Sequence, residues 1–274
     1  MPGRPASVRP PRPVRTVRYD GTMPEYDAEG RVGAPAVLFL HGTRLSRSIW
    51  ARQMRVFAGD HRTIAVDLPG HGALAHVPFG LDPFVDRLAD IIRTESPDGR
   101  SVLVGHSLGG YVAIEYAMRY PRMTAGLVVN NASLEPRRLL TIPHRSIAYL
   151  GSLAGERIRA RVTDRVRSRA YRSIVAGARP GPGAARGLVF NGSRNAVRDI
   201  IGQQVLPKLR AYPGPVLLLN GADDPLFRRD ERAFLSAPCD GVLRVVDGAG
   251  HVPSIERPDE FDEALRRFLD SIHW

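Results

Sequence analysis

Gly105-His106-Ser107-Leu108-Gly109-Gly110 is the stretch of this 274-residue chain with the clearest chemical content. A serine hydroxyl becomes a nucleophile when a turn exposes it, a base takes its proton and backbone N–H groups face the reacting carbonyl. The pattern G-x-S-x-G between a strand and a helix supplies the first condition. Its glycines permit a tight turn in which the serine takes a backbone conformation that bulkier neighbours would block. Ser107 is therefore the candidate nucleophile. The run Val102-Leu103-Val104 before it predicts a short buried strand, and Leu108 to Tyr120 predicts a helix ended by Pro121.

The remaining elements must bring a base and an acid to that turn. Val14 to Arg18 and Thr22 to Asp27 predict a strand pair joined around Gly21, and Ala36 to Leu40 predicts an apolar strand running into His41-Gly42. A helix over Ser48 to Phe57 and a strand over Thr63 to Val66 follow, the strand ending in Asp67-Leu68-Pro69-Gly70-His71-Gly72. Asp82 reads as a helix N-cap with Pro83 at the first helical position, opening a helix to about Glu95. Gly126 to Val129, Pro215 to Leu219 and Val242 to Val246 predict further strands. Phe261, Leu265, Phe268 and Ile272 form one apolar stripe on a terminal helix. Alternation of helices with nearly uninterrupted apolar strands predicts an α/β fold, a mostly parallel central sheet with helices on both faces.

Residues 136–206 interrupt that alternation. They contain no convincing strand, and Ile158, Val162, Val166, Ala170 and Ile174 recur at spacing four on an arginine-rich background. Arg179 to Gly183 breaks this helix with a turn. The expectation is a helical, Arg-rich cap inserted into a core formed by 1–135 and 207–274, with 1–13 a disordered arm. The apolar seam is narrow, which favours a cap closing over the strand ends above a helix docked on anionic lipid.

The formal net charge is +11, and fourteen arginines between Pro136 and Arg198 face only Glu156 and Asp164, a net +12 for that segment. The rest of the chain is close to neutral. Lys208 is the only lysine, an imbalance that fits GC-rich coding. No zinc-ligand spacing, stacking-aromatic pattern or helix-turn-helix signal accompanies the charge, so nucleic acid is not an expected partner. No apolar run has the length of a membrane span, and Met1 to Arg18 alternates proline and arginine without the apolar core of a secretory signal. Cys239 is the single cysteine, so no internal disulfide can form. A reducing, cytoplasmic location is expected, with the thiol as packing.

The chain resembles the lid-bearing, ester-hydrolase-like members of the α/β-hydrolase fold. Four motifs carry the resemblance in order: His41-Gly42, Asp67 to Gly72, Gly105 to Gly110, and Gly250-His251 followed by Glu256 and Pro258. The resemblance implies that a charge-stabilising acid follows the sixth or the penultimate strand. Here that strand ends at Asn220-Gly221-Ala222-Asp223-Asp224-Pro225, and the family's spacing selects Asp224, with Asp223 as the alternative. The general base is then His251, in a late loop that can reach the strand ends. His41 and His71 belong to turn motifs, His106 lies beside the elbow and His273 in the tail. The implied oxyanion donors are the backbone N–H groups of Leu108 and Thr43. Arg44 is a candidate contact for a substrate carboxylate, weighed against a solvated arginine. Trp50 is expected in the core, and the Asp67-to-Gly72 turn is expected to be structural. No metal and no organic cofactor is called for.

The expected function is cleavage of a carboxylic ester, or a related acyl bond such as a thioester or lactone, in a small-molecule acyl substrate. The basic segment would suit an anionic one. Two alternatives stand beside it: a cofactor-independent lyase of the menaquinone-biosynthesis type using the same triad, and a ligand-binding protein without turnover.

Overall fold

Successive side chains of a strand point to opposite faces, and this sequence supplies apolar residues for both. A computed structural model of the chain describes residues 15–18, 24–43, 45–137, 196, 198–224 and 226–274. Among them are eight strands in one sheet: β1 (Arg15–Arg18), β2 (Pro24–Glu29), β3 (Ala36–Leu40), β4 (Arg62–Val66), β5 (Ser101–His106), β6 (Thr124–Asn130), β7 (Pro215–Gly221) and β8 (Asp240–Val246). Their spatial order is β1-β2-β4-β3-β5-β6-β7-β8. β2 pairs antiparallel with β1 and β4, and every other pairing is parallel.

Leu38, Leu40, Ile64, Leu103, Leu127 and Val129 face one apolar cluster with the helices α2 (Leu81–Glu95), α3 (Leu108–Arg119), α4 (Val205–Ala211) and α5 (Glu231–Leu235). Val37, Phe39, Ala65, Val102, Val104 and Val128 face the other, closed by α1 (Ala51–Phe57) and α7 (Pro258–Ser271). Parallel strands buried on both faces have no polar side, which is why they read as continuous apolar runs. Trp50 is fully buried, its ring 5.1 Å from Phe39 and 5.9 Å from Phe261. The stripe of α7 is buried as the spacing predicted.

Three local expectations change. Helix α2 begins at Leu81 with Gly80 as its N-cap, so Asp82 lies inside the first turn and Pro83 is the third residue. Both fit there, because first-turn N–H groups have no partner within the helix and the turn favours acidic side chains. The segment before α1 is a 3-10 turn, Arg47–Trp50, and only then an α-helix. Cys239 is exposed rather than packed, because it precedes the edge strand β8, where Val242 and Val245 are also exposed.

The arm over 1–13, most of the predicted cap (138–195 and 197) and Arg44 lie outside the described residues. Glu135 accepts the Val205 and Leu206 N–H groups, both at 3.1 Å, and so caps α4.

Candidate active site

Ser107 stands between the last residue of β5 and the first of α3, with φ 51° and ψ −115°. A positive φ is costly for a side-chain-bearing residue, about 1–3 kcal/mol, and persists only where the surroundings dictate it. Here they do. A methyl group on Gly105 would sit 2.3 Å from the Gly109 carbonyl oxygen, and one on Gly109 would sit 2.4 Å from that of Leu40. The strand, the turn and the helix therefore touch backbone to backbone, and the motif's glycines are required by that approach. The Ser107 N–H donates to the Asn130 carbonyl at 2.9 Å, tying the turn to β6. Among the described residues nothing hydrogen-bonds the Ser107 hydroxyl. Leu108 is the first residue of α3, so its N–H has no acceptor within the helix.

The loop after β3 packs directly on this turn. A methyl group on Gly42 would lie 3.1 Å from Ser107 Cβ and 2.8 Å from His106 Cδ2. Thr43 follows Gly42, with its hydroxyl buried and without a partner among the described residues. His41 fixes the start of the loop. Its Nε2 accepts the Leu68 N–H at 3.0 Å, so Nδ1 carries the proton donated to the Gly42 carbonyl at 2.8 Å. Burial pushes the His41 imidazole down to about 4, against the pull of Asp67 at 3.6 Å. The ring is thus a neutral strut. Asp67 holds the other end of the loop, accepting the Arg47 N–H at 2.8 Å, the Arg47 guanidinium, and the Ala73 N–H at 2.8 Å. The Asp67-to-Gly72 turn has the structural part expected of it.

His251 Nδ1 lies 2.6 Å from Asp224 Oδ2. With the carboxylate ionised, the proton sits on Nδ1 and leaves Nε2 with a free lone pair. The imidazole ring lies between Phe227, 4.4 Å between centroids, and His106, at 4.8 Å. His106 is the residue before Ser107, so the histidine loop meets the turn through that contact. Asp224 is buried, whereas Asp223 is exposed. Burial raises the Asp224 carboxyl, but the bond and charge of His251, the Asn131 amide and the Phe227 N–H outweigh it and hold the group below its ordinary value. Burial, with His251 close by, pushes His106 well down.

Ser107 and Leu108, the Gly42–Thr43 loop and Asp224 follow the carboxyl ends of β5, β3 and β7, and His251, after β8, is bonded to Asp224 and packs on His106. Arg44 is outside the described residues, so its substrate contact stays an expectation. At two groups the sequence did not give the role: Glu256, quoted only as part of a motif, and Asn131, not singled out at all. Glu256 accepts the Gly250 N–H at 2.7 Å and the Val252 N–H at 2.9 Å, bracing the backbone on both sides of His251. Asn131, fully buried with φ 45°, donates to Asp224 Oδ2 at 2.7 Å. Its signal was present: Asn130-Asn131 puts two amides at the end of the apolar strand β6, Asn130 as its last residue. Among the described residues no group of three or more His, Cys, Asp or Glu is placed to hold a metal ion, and no helix is long and apolar enough to cross a membrane.

Residues 37–264 match the alpha/beta hydrolase family. Among curated proteins the chain is 29% identical to a pimeloyl-[acyl-carrier protein] methyl ester esterase of Edwardsiella ictaluri, over 87% of this chain and 94% of that one. It is 28% identical to a 2-succinyl-6-hydroxy-2,4-cyclohexadiene-1-carboxylate synthase of Serratia proteamaculans, over 88% and 95%. Among solved structures, MenH from S. aureus superimposes with a TM-score of 0.71 at 21% identity, over 90% of this chain and 98% of that one. The family match over most of the chain shows that it belongs to the alpha/beta hydrolase family of enzymes and has a general hydrolase role.

Proposed function

We propose that the protein is a serine hydrolase that cleaves a carboxylic ester or a related acyl bond, thioester or lactone, of a small molecule. The observation that carries this reading is the strained Ser107, preceded by His106, whose ring packs on a histidine with Nδ1 bonded to a buried carboxylate. In the proposed first step the Ser107 oxygen attacks the substrate carbonyl while His251 Nε2 takes its proton. Asp224 fixes the tautomer and stabilises the imidazolium. The negative oxygen of the tetrahedral intermediate receives the Leu108 and Thr43 backbone N–H groups, the first aided by the positive end of α3. Collapse expels the alcohol, thiol or lactone oxygen, which takes the proton back from His251, and leaves an acyl-Ser107. Water, deprotonated by His251, then releases the acid and restores the hydroxyl.

The relative named as a methyl ester esterase supports the ester reading. The relative named as a cyclohexadiene-carboxylate synthase, together with the basic segment 136–198, supports a second reading: a lyase on an anionic substrate that uses the same base.

Intact-mass measurement after a fluorophosphonate probe tests the proposal. Labelling of wild type but not of Ser107→Ala is expected, because attack on phosphorus with loss of fluoride needs an activated serine. Turnover of aryl esters should follow. Equal labelling of both forms would remove Ser107 from the reaction. Labelling with no turnover of esters, thioesters or lactones would favour the lyase. Binding of acyl compounds without labelling would favour a protein that lost turnover.

A further inference from the structure

Among the described residues the Asp224 carboxylate has four hydrogen-bonding partners, and one of them is a side chain that no motif predicts. Oδ1 accepts the Leu226 and Phe227 N–H groups, each at 3.2 Å. Oδ2 accepts His251 Nδ1 at 2.6 Å and Asn131 Nδ2 at 2.7 Å. Asn131 also spans the two loops that carry the pair. Its Oδ1 accepts the Gly221 N–H at 3.1 Å, at the end of β7, and its Nδ2 donates to the Gly250 carbonyl at 3.3 Å, one residue before His251. Its own N–H goes to the Leu219 carbonyl and to Asn220 Oδ1, both at 3.1 Å.

These contacts fix the amide's orientation. Turned over, the amide would aim its oxygen at a carboxylate and a carbonyl, and its nitrogen at an N–H, three like-with-like contacts in a buried place. The backbone at this position has φ 45°, a left-handed conformation that asparagine tolerates better than most residues. Gly221 leaves room for the loops to meet, since a methyl group there would lie 2.0 Å from the Gly250 carbonyl oxygen.

We infer that Asn131 is a positioning residue, which aligns the Asp224 carboxylate on His251 and locks the acid loop to the base loop. The inference rests on the triad proposed above. A hydrogen-bond donor on the ionised carboxylate favours its charged form, so Asn131 also keeps Asp224 an acceptor for His251 Nδ1–H. The titratable groups that face Asp224 include His251, His106, Tyr111 and Arg228. None of them reaches the Gly221 N–H or the Gly250 carbonyl, the two ends that Asn131 joins.

Asn131→Gly and Asn131→Asp test this. Glycine keeps the left-handed backbone and deletes the amide. Aspartate keeps the acceptor for Gly221 but sets an oxygen against Asp224 Oδ2. Two readouts are compared with wild type: the second-order rate of fluorophosphonate labelling across pH, and the downfield proton resonance of His251 Nδ1–H. Glycine should slow labelling by ~10–100-fold and weaken or remove that resonance. Aspartate should move the acid limb of the labelling profile to higher pH, because added negative charge favours the imidazolium. Labelling within twofold of wild type, with an unmoved profile and an intact resonance in either folded variant, would overturn the role. A merely structural asparagine would lower the melting temperature and leave profile and resonance where they are. If wild type itself is not labelled, the serine-hydrolase reading fails, while the His251 resonance still decides whether Asn131 holds the pair. If the aspartate variant does not fold, the glycine variant carries the test alone.

Discussion

Glu256 grips the chain on both sides of His251: one carboxylate oxygen takes the N–H of Gly250 at 2.7 Å, and the other takes that of Val252 at 2.9 Å. The histidine loop is therefore shaped by a residue five positions downstream, at the end of the short helix α6 (Pro253–Glu256). Glu256→Ala frees both N–H groups. We expect it to lower kcat by roughly tenfold, with a loss of about 1 kcal/mol of stability, since the side chain is exposed and water can replace it. Glu256→Gln keeps one acceptor and should fall between. Steady-state kinetics and thermal unfolding of the three forms check this; equal kcat in all three would show that the loop holds His251 without the clamp.

The conformation of Ser107 predicts opposite effects on stability and activity. Ser107→Gly removes the cost of φ 51° and should raise stability by about 1 kcal/mol, while abolishing probe labelling. Chemical denaturation of wild type, Ser107→Ala and Ser107→Gly measures it. Alanine, which keeps the Cβ, should not share the gain.

Two glycines, Gly109 and Gly59, should differ sharply. On Gly109 a methyl group meets the Leu40 and His41 carbonyl oxygens at 2.4 and 2.7 Å, so Gly109→Ala must push strand from helix and should cost about 3 kcal/mol or more. Around Gly59 there is nothing within 4 Å, and its φ is not in the left-handed range. Gly59→Ala should be neutral or stabilise by up to about 1 kcal/mol through the unfolded chain. Urea midpoints of the two variants decide between packing and backbone entropy as the cause.

Acid should weaken the fold through its buried imidazoles. Burial lowers His41 to about 4, and lowers His61, His71 and His106 as well. A histidine depressed in the folded state stays neutral there but takes a proton when unfolded. Its contribution is complete above pH ~6.5 and is lost as pH falls towards about 4 for His41, amounting to roughly 3 kcal/mol at full loss. Asp224, also held low, contributes above the ordinary carboxylate range and loses that below about pH 4. Unfolding free energy measured from pH 8 to 4.5 should therefore decline, most steeply below pH 6.5. His41→Gln should flatten part of that slope, and a slope unchanged by the variant would show that His41 takes up its proton without unfolding.

Much of the site was legible because it depends on short-range backbone needs. Ser107 and its glycines had to lie together, since one tight turn uses them all, and the apolar strands announced a sheet covered on both faces. His41-Gly42 and the Asp67-to-Gly72 turn were legible for the same reason: each is a local backbone shape. Asp224 and His251 came from order along the chain and a family resemblance, because nothing in their own neighbours says which strand ends they share. Asp224 over Asp223 became visible in space, where one carboxyl is buried against His251 and the other is exposed.

Asn131 and Glu256 belong to the tertiary structure. Asparagine after a strand and glutamate near a proline are common local patterns, and a hydrogen bond across 93 residues, Asn131 to Asp224, leaves no mark in either neighbourhood. The sequence by itself determined the sheet and the serine turn, because periodicity and turn sterics act between neighbours. The tertiary structure alone decided which amides and carboxylates hold the reactive groups in register, because buried polar atoms must find partners wherever the fold brings them.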